Sequence, residues 1–134
     1  MVASRRLYLD ASALVKLILP EAETEMLIGY LADTPSTFSS RIAHVEVRRA
    51  VARVAEPGDD EHARSVLAGL QLIELDAVLA ELAGSATPTS LRSLDAIHLA
   101  SALSLTPELD ALITYDNRLA DAARAAGLNV VSPA

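Results

Sequence analysis

The feature that most constrains the fold is the stretch at residues 7–16, where a short apolar segment ends on an aspartate and continues as a helix. Residues 7–9 are continuously apolar rather than alternating, which is typical of a strand buried on both faces of a parallel sheet. Asp10 is therefore expected at the carboxyl end of this strand, the edge at which open α/β sheets bind ligands. An aspartate or serine at such a turn can equally cap the following helix, so the stretch alone leaves both roles open for Asp10 and Ser12.

Strand and helix patterns alternate along the rest of the chain. Further strands are predicted at residues 37–40, 72–75, 111–115 and 128–131. Helices are predicted at residues 12–19, 21–33, 41–55, 61–70, 76–86, 93–105 and 117–126. This alternation predicts a three-layer α/β domain with a mostly parallel sheet of about five strands. A chain of 134 residues is long enough for one such domain, which we expect to span residues 1–134.

No segment of the sequence predicts membrane insertion. No apolar stretch approaches the roughly 20 residues that cross a bilayer. Only three apolar residues separate the basic start of the chain from Asp10, which is too few for the core of a signal peptide. We therefore expect a cytoplasmic protein with no membrane partner.

Four acidic residues stand where strand ends and helix starts are predicted to meet: Asp10, Glu46, Asp95 and Asp116. Taken singly, Glu46 is explained by a surface pair with Arg49, and Asp95 by a favourable position in the first turn of a helix. Together, such carboxylates repel one another unless cations or shared protons relieve the repulsion. The sequence has no cysteine, so oxygen or imidazole groups must hold any metal, and Mg²⁺ or Mn²⁺ becomes the natural candidate. A pair of these ions can activate water for phosphodiester hydrolysis.

The helix predicted at residues 93–105 also carries a histidine. His98 follows Asp95 by three positions, a spacing at which both side chains can share a metal. The apolar neighbours of His98 favour a buried structural histidine instead. By helical spacing the buried side of this helix is predicted to hold Leu94, Ile97, His98, Ala102 and Leu105.

Four segments form a joint pattern that covers nearly the whole chain. They read D-A-S-A-L-V-K at 10–16, H-V-E-V-R-R-A at 44–50, L-R-S-L-D-A-I-H-L-A-S-A at 91–102 and T-Y-D-N-R-L at 114–119. This pattern resembles the PIN domain and, more narrowly, the VapC-type toxins of bacterial type II toxin–antitoxin pairs. The resemblance implies a three-layer α/β/α PIN-like fold and a metal-dependent endoribonuclease that hydrolyses RNA phosphodiesters with Mg²⁺ or Mn²⁺.

The resemblance also assigns roles to the four acids. Asp10 and Asp95 match the principal metal ligands, and Asp116 matches the remaining aspartate of the metal cluster. Glu46 matches the helix acid that orients metal or water. All four acids are thus expected to be catalytic.

Accessory groups and partners follow from the same resemblance. Ser12 and Thr114 match accessory hydroxyls of the motif. The expected partners are an RNA substrate and a cognate antitoxin, with assembly as a homodimer or as a toxin–antitoxin hetero-oligomer.

The charge of the chain bears on how it would bind RNA. The formal net charge of −7 argues against a generally basic RNA-binding surface. Arg49, Arg92 and Arg118 lie beside the acids in sequence, so we expect them to contact RNA phosphates, although a solvated helix face would explain them equally well. With only four aromatic residues, base stacking is not expected to dominate recognition.

Two other functions fit parts of the pattern. A PIN-fold module that binds RNA or protein without cutting would keep the fold, and loss of one or more acids would be its mark. A haloacid-dehalogenase-like phosphatase also has an aspartate after its first strand, but it needs a second acid two residues later, where this chain has Ser12.

Overall fold

The computed structural model describes residues 5–54 and 56–134, and its centre is a five-stranded sheet in which every strand pair is parallel. The strands are β1 (Arg6–Leu9), β2 (Ser36–Ser40), β3 (Gln71–Ile73), β4 (Ala111–Ile113) and β5 (Val130–Val131). Their order across the sheet is β3-β2-β1-β4-β5, so β1 occupies the centre.

Helices connect the strands and cover both faces of the sheet. They are α1 (Ala11–Ile18), α2 (Thr24–Leu31), α3 (Arg41–Ala52), α4 (Asp59–Ala68), α5 (Ala77–Gly84), α6 (Ser93–Leu103) and α7 (Asn117–Ala125). The predicted α/β class is confirmed, and the sheet is wholly rather than mostly parallel. Most helices are shorter than predicted. The helix expected at 41–55 ends at Ala52, and its last predicted residue lies outside the described residues.

The core has one layer on each side of the sheet because side chains of a strand alternate between its faces. Leu7 and Leu9 of β1 pack with residues of α1, α2, α3 and α4, including the buried Leu14 and Val47. Tyr8, between them, packs with α6 and α7 on the opposite face. A third, smaller cluster joins α5 to α6. This arrangement explains why residues 7–9 of β1 are continuously apolar.

The register of the two central strands brings two loops together. Leu9 lies opposite Ile113, so β1 and β4 end at the same level of the sheet. The backbone N–H of Asp10 donates to the Ile113 carbonyl at 3.2 Å, which extends the pairing by one residue. The loops that follow β1 and β4 therefore meet at the carboxyl edge, where the site is expected.

One residue predicted to be buried on α6 is exposed, and Ile97 is only half-buried. Leu94 is 47% exposed, while His98 and Ala102 are buried as predicted. Leu94 lies in the first turn of α6 and lines an open pocket at the sheet edge instead of the core.

None of the helices in the described part of the chain combines the length and the apolar character that a membrane span requires.

The packing predicts a large difference between two truncations. Leu112→Ala removes a fully buried side chain from β4, so we expect it to lower the free energy of unfolding by about 2–5 kcal/mol. Val78→Ala, on the exposed face of α5, serves as the control and should change it by less than about 0.5 kcal/mol. Urea unfolding measures both, and equal effects of the two substitutions would contradict the described core.

Candidate active site

A pocket of about 380 Å³ opens at the carboxyl edge of the sheet, beside the ends of β1 and β4. All four acids singled out in the sequence line it, although they come from separate parts of the chain. The full lining consists of Asp10, Ala11, Ser12, Glu46, Arg92, Ser93, Leu94, Asp95, His98 and Asp116.

Asp10 is the most buried of the four acids, with 3% of its surface exposed. Its Oδ1 accepts hydrogen bonds from Ser12 Oγ at 2.6 Å and from the Ala13 backbone N–H at 3.0 Å, and its Oδ2 accepts one from Thr114 Oγ1 at 2.6 Å. Burial raises the pKa of the Asp10 carboxyl, and the two hydroxyl donors oppose that shift because they stabilise the ionised form. Asp10 therefore caps α1 and lines the pocket, so the two roles left open by the sequence coexist.

The two hydroxyl side chains also fix the loop that follows β4. Ser12 Oγ accepts a hydrogen bond from the Tyr115 backbone N–H at 2.9 Å, and Thr114 Oγ1 accepts one from the Asp116 N–H at 3.0 Å. Each hydroxyl thus donates to Asp10 while accepting from the backbone of the loop after β4. The accessory role predicted for Ser12 and Thr114 corresponds, in this geometry, to holding the loops after β1 and β4 together.

Asp116 caps the last helix of the chain. Its Oδ1 accepts from the backbone N–H groups of Arg118 at 2.9 Å and Leu119 at 3.3 Å. These two bonds use one carboxylate oxygen to satisfy the start of α7. The side chain is held at the pocket by the helix that it caps, and its second oxygen retains its lone pairs for a ligand.

Asp95 differs from the other three acids. It stands in the first turn of α6, half-buried, and its carboxylate accepts no hydrogen bond from another described residue. Burial raises the pKa of Asp95, and the negative charges of Asp116, Asp10 and Glu46 raise it further. A carboxylate that lacks hydrogen-bond donors and faces other acids is in an environment that favours cation binding.

Glu46 reaches the pocket from α3 and is held by a histidine. His98 Nε2 lies 2.7 Å from Glu46 Oε1, and His98 Nδ1 lies 2.7 Å from the hydroxyl of Tyr8. His98 is 1% exposed, so its predicted burial is confirmed. Its contact with Glu46 was not predicted from the sequence. The only sequence signal that His98 lies near the acids was its position three residues after Asp95, and no signal indicated the contact with Tyr8.

The three arginines expected to contact RNA differ in whether they line the acidic pocket. Arg92 is exposed and lines the pocket itself. Arg118 lines a neighbouring groove together with Asp121. Arg49 is exposed on α3 and is not among the residues that line either cavity. The structure therefore places one of the three directly at the acidic pocket.

The donor groups fit a hard divalent cation, but they do not form a closed cage. Among residues 5–54 and 56–134, no three acidic or histidine side chains approach closely enough to make a preformed metal site. Mg²⁺ typically keeps several water ligands and uses one or two carboxylates, so it needs no such cage. The ligands expected from the sequence, Asp10, Asp95 and Asp116, all line the pocket, and their metal-binding role stays a prediction.

Comparison with known proteins gives one family. The family model of the PIN domain matches residues 7–125. The chain is 46% identical over 132 residues to ribonuclease VapC35 of Mycobacterium tuberculosis, with 95% of this chain and 96% of that protein covered. It is 41% identical over 131 residues to ribonuclease VapC47 of the same species, with the same coverage.

A solved structure agrees in fold. The structure of a toxin–antitoxin complex from Klebsiella pneumoniae matches with a TM-score of 0.72 at 25% sequence identity. The match covers 96% of this chain and 98% of that chain. The similarity in fold therefore extends over nearly the whole of both chains.

The environment of Asp95 generates a prediction about stability without metal. Its pKa in the folded protein lies above its unfolded value, so ionisation of Asp95 destabilises the fold. This cost is absent below the ordinary aspartate pKa of about 3.9 and is complete above the raised pKa. In EDTA at pH 8 we expect Asp95→Asn to raise the thermal midpoint by about 3 °C, and the gain to shrink towards pH 4.

The matched control for this measurement is Asp121→Asn. The Asp121 side chain is 83% exposed and its contact with Arg124 is long, at 3.8 Å, so its midpoint should stay unchanged. An equal or lower midpoint for Asp95→Asn at pH 8 would show that the favourable helix dipole at the start of α6 outweighs the repulsion.

Proposed function

The chain belongs to the PIN domain family, and we infer that it is an endoribonuclease of the VapC type, the toxin of a toxin–antitoxin pair. VapC ribonucleases depend on divalent metal. The family model leaves the two chain ends unmatched, and we propose that residues 1–134 form one domain. Family membership excludes the phosphatase alternative.

We propose that the four acids of the pocket carry the reaction. The observation that supports this most strongly is that Asp10, Glu46, Asp95 and Asp116 line one pocket while Asp95 accepts no hydrogen bond from the described residues. Oxygen ligands in this number suit Mg²⁺ or Mn²⁺. A bound divalent cation of this kind supplies an activated water and offsets charge on the phosphodiester.

Each acid contributes in a way that its contacts suggest. Asp10 is fixed by three donors, so it provides a carboxylate whose position does not change when charge enters the pocket. Asp95 and Asp116 add negative charge on neighbouring helix starts and complete the proposed ligand set. Glu46, outside that set, is proposed to orient the attacking water and accept its proton.

The substrate is proposed to be RNA, and its phosphates to be held by arginine. Arg92 at the pocket is the first candidate, since a guanidinium can pair with a phosphate next to the scissile bond. Arg118 and Arg49, which do not line the acidic pocket, are proposed to contact phosphates along the same strand.

The protein partner is an antitoxin. A toxin–antitoxin complex is among the solved structures of similar fold, and the relatives that are 41% and 46% identical to the chain are VapC ribonucleases. A homodimer of the chain, alone or within a hetero-oligomer with the antitoxin, stays a proposal.

The first test is cleavage of defined tRNA and rRNA fragments by the purified chain. We expect discrete products in Mg²⁺ or Mn²⁺ and none in EDTA. Asp95→Asn should lower kcat by about 100-fold or more, since it removes charge at the reacting centre. Glu81→Gln, which removes an exposed acid from α5 outside the pocket, is the control and should cut as the wild type does.

Two outcomes would contradict the proposal in different ways. Cleavage that persists in EDTA, or in Asp95→Asn at the wild-type rate, would remove the acidic pocket from the reaction. Failure of the wild type both to cut RNA and to bind Mg²⁺ or Mn²⁺ in calorimetry would favour a PIN-fold module that binds without cutting.

The role of Arg92 has its own test. Because it is exposed, Arg92→Ala should leave the fold intact and lower cleavage at subsaturating RNA by about 2- to 5-fold, as expected for an exposed charge pair. The loss should appear in KM, and the slope of log KM against log salt should fall by roughly 0.7 for one lost phosphate contact on a single strand.

Arg64→Ala is the matched control for this series. Arg64 lies on α4, pairs with Asp60 at 2.9 Å and is absent from the pocket lining. If both arginine variants show the same salt slope as the wild type, Arg92 makes no contact with the RNA phosphates.

A further inference from the structure

A hydrogen-bonded chain of three side chains leads from the core to the acidic pocket. It begins at Tyr8 on the central strand, passes through His98 on α6 and ends at Glu46 on α3, with both contacts at 2.7 Å. Tyr8 is fully buried and His98 is 1% exposed, whereas the Glu46 side chain is 22% exposed. The chain therefore joins a rigid interior to a group that solvent and ligands can reach.

The direction of the protons in this chain follows from the groups present. An ionised Glu46 carboxylate can only accept a hydrogen bond, so His98 Nε2 must carry a proton. In the neutral imidazole, Nδ1 is then an acceptor, and the Tyr8 hydroxyl donates to it. Burial raises the pKa of the Tyr8 phenol, which keeps that donor protonated. The phenol thus selects the histidine tautomer that donates to Glu46.

The consequence for Glu46 is a loss of conformational freedom. A glutamate side chain on an exposed helix face rotates about three bonds, which would spread its carboxylate over several positions. His98 binds Oε1, and among the described residues Oε2 has no hydrogen-bond partner. The carboxylate is therefore held at one oxygen and retains the lone pairs of the other for the reaction. The buried ring of His98 packs edge-on to Tyr8, with centroids 5.8 Å apart, which limits its own movement.

We propose that His98, with its tautomer set by Tyr8, is a positioning residue that holds the Glu46 carboxylate for water activation. The inference rests on the proposed function, in which Glu46 orients the attacking water. A purely structural histidine would contribute only to packing, and any change of it would then act through stability alone. The two roles are separable because the contacts to Tyr8 and to Glu46 use different ring nitrogens.

Two substitutions of His98 separate those nitrogens. In His98→Gln the amide nitrogen reaches the place of Nε2 and can still donate to Glu46. In His98→Asn the shorter amide reaches only the place of Nδ1, so the contact with Tyr8 is kept and Glu46 is released. We expect His98→Asn to lower kcat by about 10–100-fold with little change in KM. This is the usual effect of losing a hydrogen-bond partner that orients a residue of a metal site. We expect His98→Gln to recover most of that loss.

The thermal midpoints of both variants are measured beside kcat, so that a loss of stability can be told from a loss of positioning. Recovery by His98→Gln at equal or lower stability supports positioning, because packing alone does not distinguish a donor at Nε2 from one at Nδ1. Wild-type kcat in His98→Asn, or losses in both variants that follow only their stability, would overturn it.

A second readout does not depend on cleavage. The ¹⁵N and ¹H NMR signals of the His98 ring in the wild-type protein report its tautomer. We expect the proton on Nε2 of His98, and a ring protonated at Nδ1 alone would overturn the proposal. If the wild type cuts no RNA while His98 shows the Nε2–H tautomer, the proposed function fails and the arrangement that holds Glu46 stands.

Discussion

The buried carboxylate of Asp10 is the contact on which the geometry of the pocket depends. It binds the Ser12 hydroxyl and the N-terminus of α1 through one oxygen and the Thr114 hydroxyl through the other. Removing a carboxylate from water is costly, and these donors replace the water that it loses. Because the same hydroxyls accept from the loop after β4, a single acid couples two loops that are about 100 residues apart in sequence.

Repulsion between the acids of the pocket destabilises the fold, and Asp95 shows this most clearly. Across the described residues, every buried side-chain nitrogen or oxygen has a hydrogen-bond partner. Asp95, half-buried among acids that raise its pKa, has neither such a partner nor an ion pair. Hydrogen-bonded polar groups elsewhere in the fold offset the destabilisation that this repulsion causes. A cation that enters the pocket would attract the same carboxylates.

The sequence predicted the elements better than their contacts. Continuous apolar runs that end on acids identified β1 and β4, because burial on both faces leaves a local signal. Glu46 lies in the middle of α3, where no local pattern shows which strand ends it approaches, so its expected role rested on the family resemblance. The chain from Tyr8 through His98 to Glu46 spans sequence separations of 90 and 52 residues, and a buried histidine looks the same in sequence whichever side chains it binds. Leu94 was misassigned because helical spacing gives a face without showing where the helix projects beyond the sheet.

The net charge of −7 is compatible with an RNA substrate once the arginines are considered by their partners. Arg41 binds Glu74 through two nitrogens, and Arg48 and Arg64 share the single carboxylate of Asp60, so surface acids already offset part of this positive charge. Arg92 has no ion-pair partner among the described residues, and it stands at the acidic pocket. Arg49 and Arg118 likewise have no ion-pair partner among the described residues, so a phosphate strand at the pocket would meet unpaired guanidinium groups at the three positions proposed to contact it. With few unpaired cations on an acidic chain, we expect weak nonspecific affinity for RNA and selection of the RNA by its shape at the pocket.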